Sequence, residues 1–157
     1  PQVKAKRALQ DYLDVVTAIN SQVNVVTALA TALPGGSVSS VVDALNDLVS
    51  LIQQGIQDVQ GFPPLNSADA LMLVEPMMDL INNVEAMVDI LIAKEPIFEA
   101  EGRAADVLDA LQDTKVAIAG LMDALHPQVP PEFDAIGSLI ASELDAAIQQ
   151  AIDAYSD

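Results

Sequence analysis

The stretch Ser67–Lys94, SADALMLVEPMMDLINNVEAMVDILIAK, decides how this chain folds. Placed at about 100° per residue, Met72, Leu73, Val74, Met77, Met78 and Leu80 fall on a broad apolar surface. Ile81, Val84, Met87, Val88, Ile90, Leu91 and Ile92 extend that surface around most of the circumference. Only Glu75, Asp79, Asn82, Asn83, Glu85 and Asp89 hold a polar stripe. A helix this apolar needs partners on most of its sides. The expectation is therefore a bundle of about five helices with this third one, about 67–94, at its centre. Pro76 removes one backbone hydrogen bond and predicts a kink that opens the spacing to neighbours.

Turn chemistry delimits the other segments. Pro34-Gly35-Gly36, Gly61-Phe62-Pro63-Pro64, Glu95-Pro96 and Pro127 to Pro131 interrupt the pattern. The first segment, about Lys4 to Leu33, carries an apolar face through Leu9, Tyr12, Leu13, Val16, Ile19, Val23 and Val26. The second opens after Ser37, a candidate N-cap, and the third after Asn66 or Ser67. The fourth is expected from near Pro96 to Leu125, since proline suits a first helical turn. The fifth follows Pro130-Pro131, with Glu132 in its first turn, and reaches Tyr155. Periodicity is helical throughout, so the fold class is all-α, in a single domain spanning 1–157.

Composition narrows the functions. Net charge is −17, with only six Lys and Arg. Nucleic-acid affinity needs cations that release counterions, and anionic membranes repel such a chain. There is no cysteine, which removes disulfides and thiolate chemistry. Apolar runs such as Ala70 to Val74 and Ile90 to Ala93 are too short to span a bilayer. The absence of a signal peptide at Pro1 predicts a mature secreted or trimmed chain, and no N-glycosylation sequon occurs. A monomer is expected.

The core material favours a deformable interior. Hydrophobic residues make up 52% of the chain and aromatic ones 3%, so aliphatic chains and methionine replace rigid rings. Methionine is unbranched and follows irregular shapes. Four of the five Met lie in the quoted stretch, and Met122 lies in the fourth segment. Such helices can pack densely or around a slot. An empty slot of about 300 Å³ would cost about 7 kcal/mol, close to a whole domain's stability. It must be filled or must collapse. Burying about 14 methylenes of an acyl chain returns roughly 11 kcal/mol before association costs.

The arithmetic permits an elongated apolar cavity that takes a long-chain acyl ligand, the alternative to an ordinary densely packed aliphatic core. The second segment would line it through Leu45, Leu48, Ile52 and Ile56. The third would contribute Met77, Met78, Ile81, Val84, Val88 and Leu91. From the fourth come Leu111, Ile118 and Met122, and from the fifth Ile140, Leu144 and Ile148. Thr114 and Lys115 fall within the fourth segment's apolar face. Lys115 either snorkels its ammonium to the rim or pairs a ligand carboxylate, with Thr114 donating a hydrogen bond. Asn20 and Thr27, at the edge of the first segment's face, are further carboxylate candidates.

No catalytic constellation is present. His126 is the single histidine and stands before Pro127 in a loop. The sequence contains no HExxH, GxSxG, phosphate-binding glycine loop or calcium loop. It also lacks the Glu-x-x-His pairs of di-iron bundles. The chain is expected to be neither an enzyme nor a metal or cofactor carrier.

Leu91-Ile92-Ala93-Lys94-Glu95-Pro96-Ile97-Phe98, then Gly102, Val107, Leu111, Lys115 and Ala124-Leu125, resemble the fungal hydrophobic-surface-binding protein family. So does the run Ile140 to Tyr155, ending Ala-Ile-Asp-Ala-Tyr. That family includes the antigenic cell-wall galactomannoproteins of pathogenic moulds. The resemblance implies a secreted or wall-attached fungal protein that captures host lipid, palmitate- or arachidonate-like, in a central tunnel. By the same analogy Ser138 and Ser142 are hydroxyl donors to the carboxylate, although the helical wheel turns both toward the polar side. The competing expectation is a structural or adhesive protein that adsorbs to hydrophobic surfaces without a dedicated ligand.

Overall fold

The computed structural model describes residues 2–156, with side chains from Ala8 onward. Lys4, Lys6 and Arg7 therefore lie outside the described side chains. Six α-helices follow in order: α1 Gln2–Thr31, α2 Val38–Gln60, α3 Ser67–Ala93, α4 Glu95–Ala100, α5 Ala104–Leu125 and α6 Asp134–Tyr155. Two single-turn 3₁₀ pieces, His126–Gln128 and Pro131–Phe133, join α5 to α6. No strand occurs among the described residues.

Local chemistry sets the boundaries. Ser37 accepts from Ser40 N at 3.2 Å to start α2, and Asn66 accepts from Asp69 N at 2.8 Å to start α3. Each side chain satisfies one of the amides that an N-terminus leaves without a partner. The expected fourth helix is two helices. Gly102 takes a left-handed φ of 74°, a conformation glycine adopts without steric cost, and so ends α4 before α5 begins. Downstream, the expected helical Glu132 sits in the 3₁₀ turn before α6.

The five long helices form a closed ring. α1 packs between α2 and α3, α2 packs on α5, α5 on α6, and α6 on α3. This corrects the placement of the third helix: α3 is one stave of the ring and is not encircled. It turns one side to α1, one to α6 and a third to the axis, which is why its apolar surface is so wide. The remainder of that surface faces solvent, with Leu71 63% and Met72 59% exposed. α3 runs through Pro76 without a break. On its α1 side, Asn83 donates to Asn20 at 2.8 Å, and Asn20 in turn donates to the Pro76 carbonyl at 3.4 Å.

By length and mean hydropathy the stretch Ala8–Thr31 could cross a membrane. Here it is a stave whose inner residues Tyr12, Val16, Ile19, Val23 and Val26 are buried. The short helix α4 lies across one end of the ring, with Phe98 fully buried beneath it. The other end holds the start of α3, the end of α5 and the start of α6.

Candidate functional site

The axis of the ring is where all five staves meet. Ile19 and Val23 reach it from α1, and Leu48 and Ile52 from α2. α3 sends Leu80, Val84 and Met87, α5 sends Thr114, Ile118 and Leu121, and α6 sends Leu144 and Ile148. They enclose a void of about 10 Å³. That is the size of one water, which would need two or more polar partners to stay there. The lining offers only the hydroxyl of Thr114, fully buried and donating to Ala110 O at 2.7 Å. Of the two outcomes open to a slot, this ring shows collapse.

The axis does not stop at its own walls. Ile118, Leu144 and Ile148 also line a groove of about 310 Å³ along the α5–α6 seam. The seam shares Met122, Asp123 and Ala141 with an apolar mouth of about 190 Å³ between the start of α3, the end of α5 and the start of α6. Axis, seam and mouth are therefore neighbours along one side of the barrel. Leu73, Val74, Met77, Phe133, Ile136 and Ile140 give the mouth its apolar walls. At its rim His126 Nε2 stands 3.2 Å from Asp134 Oδ1.

Polar groups cross the seam. Lys115 Nζ donates to Gln149 Oε1 at 2.5 Å and lies 3.7 Å from Asp145 Oδ1. Its stem runs along the groove that Ser142 also lines. The ammonium thus sits at the rim and joins α5 to α6; it does not point down the axis. Ser138 lines the mouth and is exposed.

The sequence-expected lining residues separate into four groups. Leu48, Ile52, Val84, Ile118, Leu144 and Ile148 reach the axis, as does Thr114. Met77, Met122 and Ile140 reach the mouth. Leu45, Ile81, Val88, Leu91 and Leu111 are buried between helices and do not border the axial void. Met78 faces outward, 38% exposed, and Ile56 is partly buried with its Cδ1 against Gly120 of α5. Asn20 is engaged with Asn83 and Pro76, and Thr27 donates to Val23 O at 3.1 Å within its own helix. Ile19, Val23, Leu80, Met87 and Leu121 were not expected on the axis. The spacing of Ile19 and Val23, and of Leu80, Val84 and Met87, marks each set as one helix face. Treating α1 as an outer wrapping helix hid the first set.

Burial shapes two phenols. Desolvation pushes the Tyr12 phenol up to about 12; its hydroxyl donates to Pro63 O at 2.9 Å and its ring meets Phe62 edge-on at 5.0 Å. Burial, and secondarily the charge of Glu95, pushes the Tyr155 phenol up as well.

Comparison with known proteins places this architecture. The family model described as hydrophobic surface binding protein A matches residues 9–127. Cell wall mannoprotein 1 of Aspergillus fumigatus is 34% identical over 143 residues, covering 91% of this chain and 50% of that protein. The chain therefore spans about half the length of this curated relative. Ligand-binding domain 2 of the Penicillium marneffei MP1 protein, solved in complex with arachidonic acids, superposes with a TM-score of 0.88 at 28% identity. That match covers 94% of this chain and 93% of that one. Domain 1 of the same protein, complexed with arachidonic acids, shares the fold at a TM-score of 0.92 and 23% identity, over 96% and 99% of the two chains.

Proposed function

Because this chain belongs to the hydrophobic surface binding protein A family, we infer that it is a non-catalytic module holding a long-chain fatty acid, palmitate- or arachidonate-like, along the axis of its helical ring. The observation that carries this reading is the axis itself: aliphatic side chains from five helices converge on it, and the α5–α6 seam shares lining residues with both the axis and an apolar mouth. The arachidonic acids bound by the MP1 domain of similar sequence support the same ligand class. The relative's name, cell wall mannoprotein, supports a secreted or wall-attached setting and the capture of lipid there. The unit is read as one lipid-binding domain, monomeric.

Mechanistically, the tail displaces nothing polar. It enters a ring whose void of about 10 Å³ must widen to admit it, and roughly 0.8 kcal/mol per buried methylene opposes the cost of parting the helices. Aliphatic walls with Met77, Met87 and Met122 can rearrange to follow the guest. The carboxylate stays at the rim of the seam, where Lys115 exchanges Gln149 for the ligand and Ser142 donates a hydrogen bond. Thr114 is the one polar side chain that lines the axis.

Organic extraction of the purified protein followed by mass spectrometry should recover acyl chains, and saturating palmitate should raise the melting temperature, as ligand binding to the folded state requires. A protein without extractable lipid whose melting point ignores palmitate and arachidonate would refute the reading. Lys115→Ala should weaken palmitate severalfold while leaving its methyl ester within twofold; equal losses would make Lys115 a packing residue. Exposed Leu71, Met72, Val116 and Leu139 favour one second reading, adsorption to hydrophobic surfaces through outer apolar faces. Fast adsorption with no thermal response to fatty acid would select it.

A further inference from the structure

The two ends of the barrel are closed very differently. At the α4 end the Phe98 ring meets Tyr155 edge-on at 6.1 Å, and the Tyr155 hydroxyl donates to Leu91 O at 2.5 Å. Lys94 Nζ donates to Leu33 O at 2.7 Å, and Arg103 Nη1 to Ser39 Oγ at 2.8 Å. Side chains of α2, α4 and α6 and backbone carbonyls of α3 and of the turn after α1 are thereby tied across that end. At the opposite end lies the apolar mouth, and one of the residues lining it is Gly137 on α6.

Three glycines sit inside the long helices, and two have a steric reason to be there. A Cβ on Gly55 would fall 3.0 Å from Val15 Cγ1, and one on Gly120 would fall 3.0 Å from Ile56 Cδ1. A Cβ on Gly137 would meet nothing within 4 Å. Its backbone makes no demand either, since Gly102 is the positive-φ glycine. Glycine in a helix interior costs about 1 kcal/mol relative to alanine, so this position gives up helix stability with no local packing in return. What a side chain there would alter is the width of the mouth.

We propose that acyl ligands reach the axis tail-first through this mouth, and that Gly137 determines its width. The inference rests on the axis being an acyl site. The rim chemistry sets the direction of entry. Asp123 and Asp134 line the mouth, and His126 is already paired with Asp134, so a carboxylate is repelled there while a hydrocarbon tail is not. The cation able to receive the carboxylate, Lys115, lies on the adjoining seam. The head therefore remains outside as the tail passes Met77, Met122 and Ile140.

The experiment is stopped-flow association of cis-parinaric acid, a fluorescent long-chain polyene acid, with the wild-type chain and three variants. Gly137→Phe should associate at least tenfold more slowly. Its dissociation should slow too, so that Kd moves less than either rate. Gly137→Leu should fall between, and circular dichroism with a thermal melt confirms that each is folded. Val116→Phe places the same ring on the exposed outer face of α5 and should keep the wild-type rate within twofold. A wild-type rate in both folded Gly137 variants, or equal slowing by Val116→Phe, would overturn the mouth as the entrance while leaving the acyl site intact. A wild-type protein that does not bind the probe would overturn the acyl site itself.

Discussion

On the α1–α2–α5 side of the barrel the helices approach until glycine is needed: Gly55 lets α2 close on Val15, and Gly120 lets α5 close on Ile56. On the α3–α6 side no such contact exists. Met77 and Met122 line an open mouth, and Gly137 faces empty space. One wall is packed to a contact limit, where any added methylene must displace a neighbour. The other keeps unbranched side chains around an apolar opening, whereas the surface groove of about 240 Å³ between α1 and α2 is rimmed by Asp11, Asp14 and Asp58. The same aliphatic alphabet thus yields a fixed half and an adaptable half, and the difference lies in where small residues and methionines fall.

The contrast can be broken most forcefully on the axis both halves share. Val84→Trp fills the centre from α3 and should reduce palmitate affinity by a hundredfold or more, with about 1–3 kcal/mol of overpacking cost. Isothermal titration checks it, and Ile81→Trp, off the axial void, should affect affinity far less. Next in size, Gly120→Leu should destabilise by about 1–3 kcal/mol in denaturant titrations. Gly137→Ala should do the reverse and stabilise by about 0.4–1 kcal/mol, because its Cβ meets no neighbour and the unfolded chain loses freedom. If the two glycines respond alike, the walls are not different.

A smaller effect tests the ties at the two ends. Tyr12 holds α1 to the loop before α3, and Tyr155 holds the end of α6 to α3. Both phenols are raised on folding, so their contribution is complete below the ordinary tyrosine value near 10. It is lost as pH climbs through the folded values, about 12 for Tyr12. Unfolding midpoints should stay level to about pH 10 and fall above it. Tyr155→Phe should flatten the fall at a cost of about 1–3 kcal/mol at neutral pH, because Leu91 O loses its donor.

Much of the fold was legible because helix ends are local. Ser37, Asn66 and the proline clusters announce themselves within four residues, and caps at Ser37 and Asn66 form as the sequence suggests. Gly102 was equally visible, but only its left-handed φ reveals that it divides α4 from α5. The position of α3 was not legible. A broad apolar surface reads the same whether a helix is encircled or shares two neighbours and an axis while leaving Leu71 and Met72 in water. Site residues followed the same logic. Periodicity finds the inner face of each helix, yet Ile81 and Val84 differ by only three positions and only Val84 borders the axial void. Lys115 lies on an apolar face by its wheel angle, while its length carries the ammonium to Gln149 at the rim.

The five methionines happen to report on every part of this account. Met87 faces the axis, Met77 and Met122 face the mouth, and Met72 and Met78 face outward. Methyl-labelled methionine spectra recorded through a palmitate titration should show Met87, Met77 and Met122 shifting together to saturation while Met72 and Met78 stay in place. Shifts confined to Met72 and Met78, with Met87 unmoved at saturating ligand, would contradict a fatty acid on the axis.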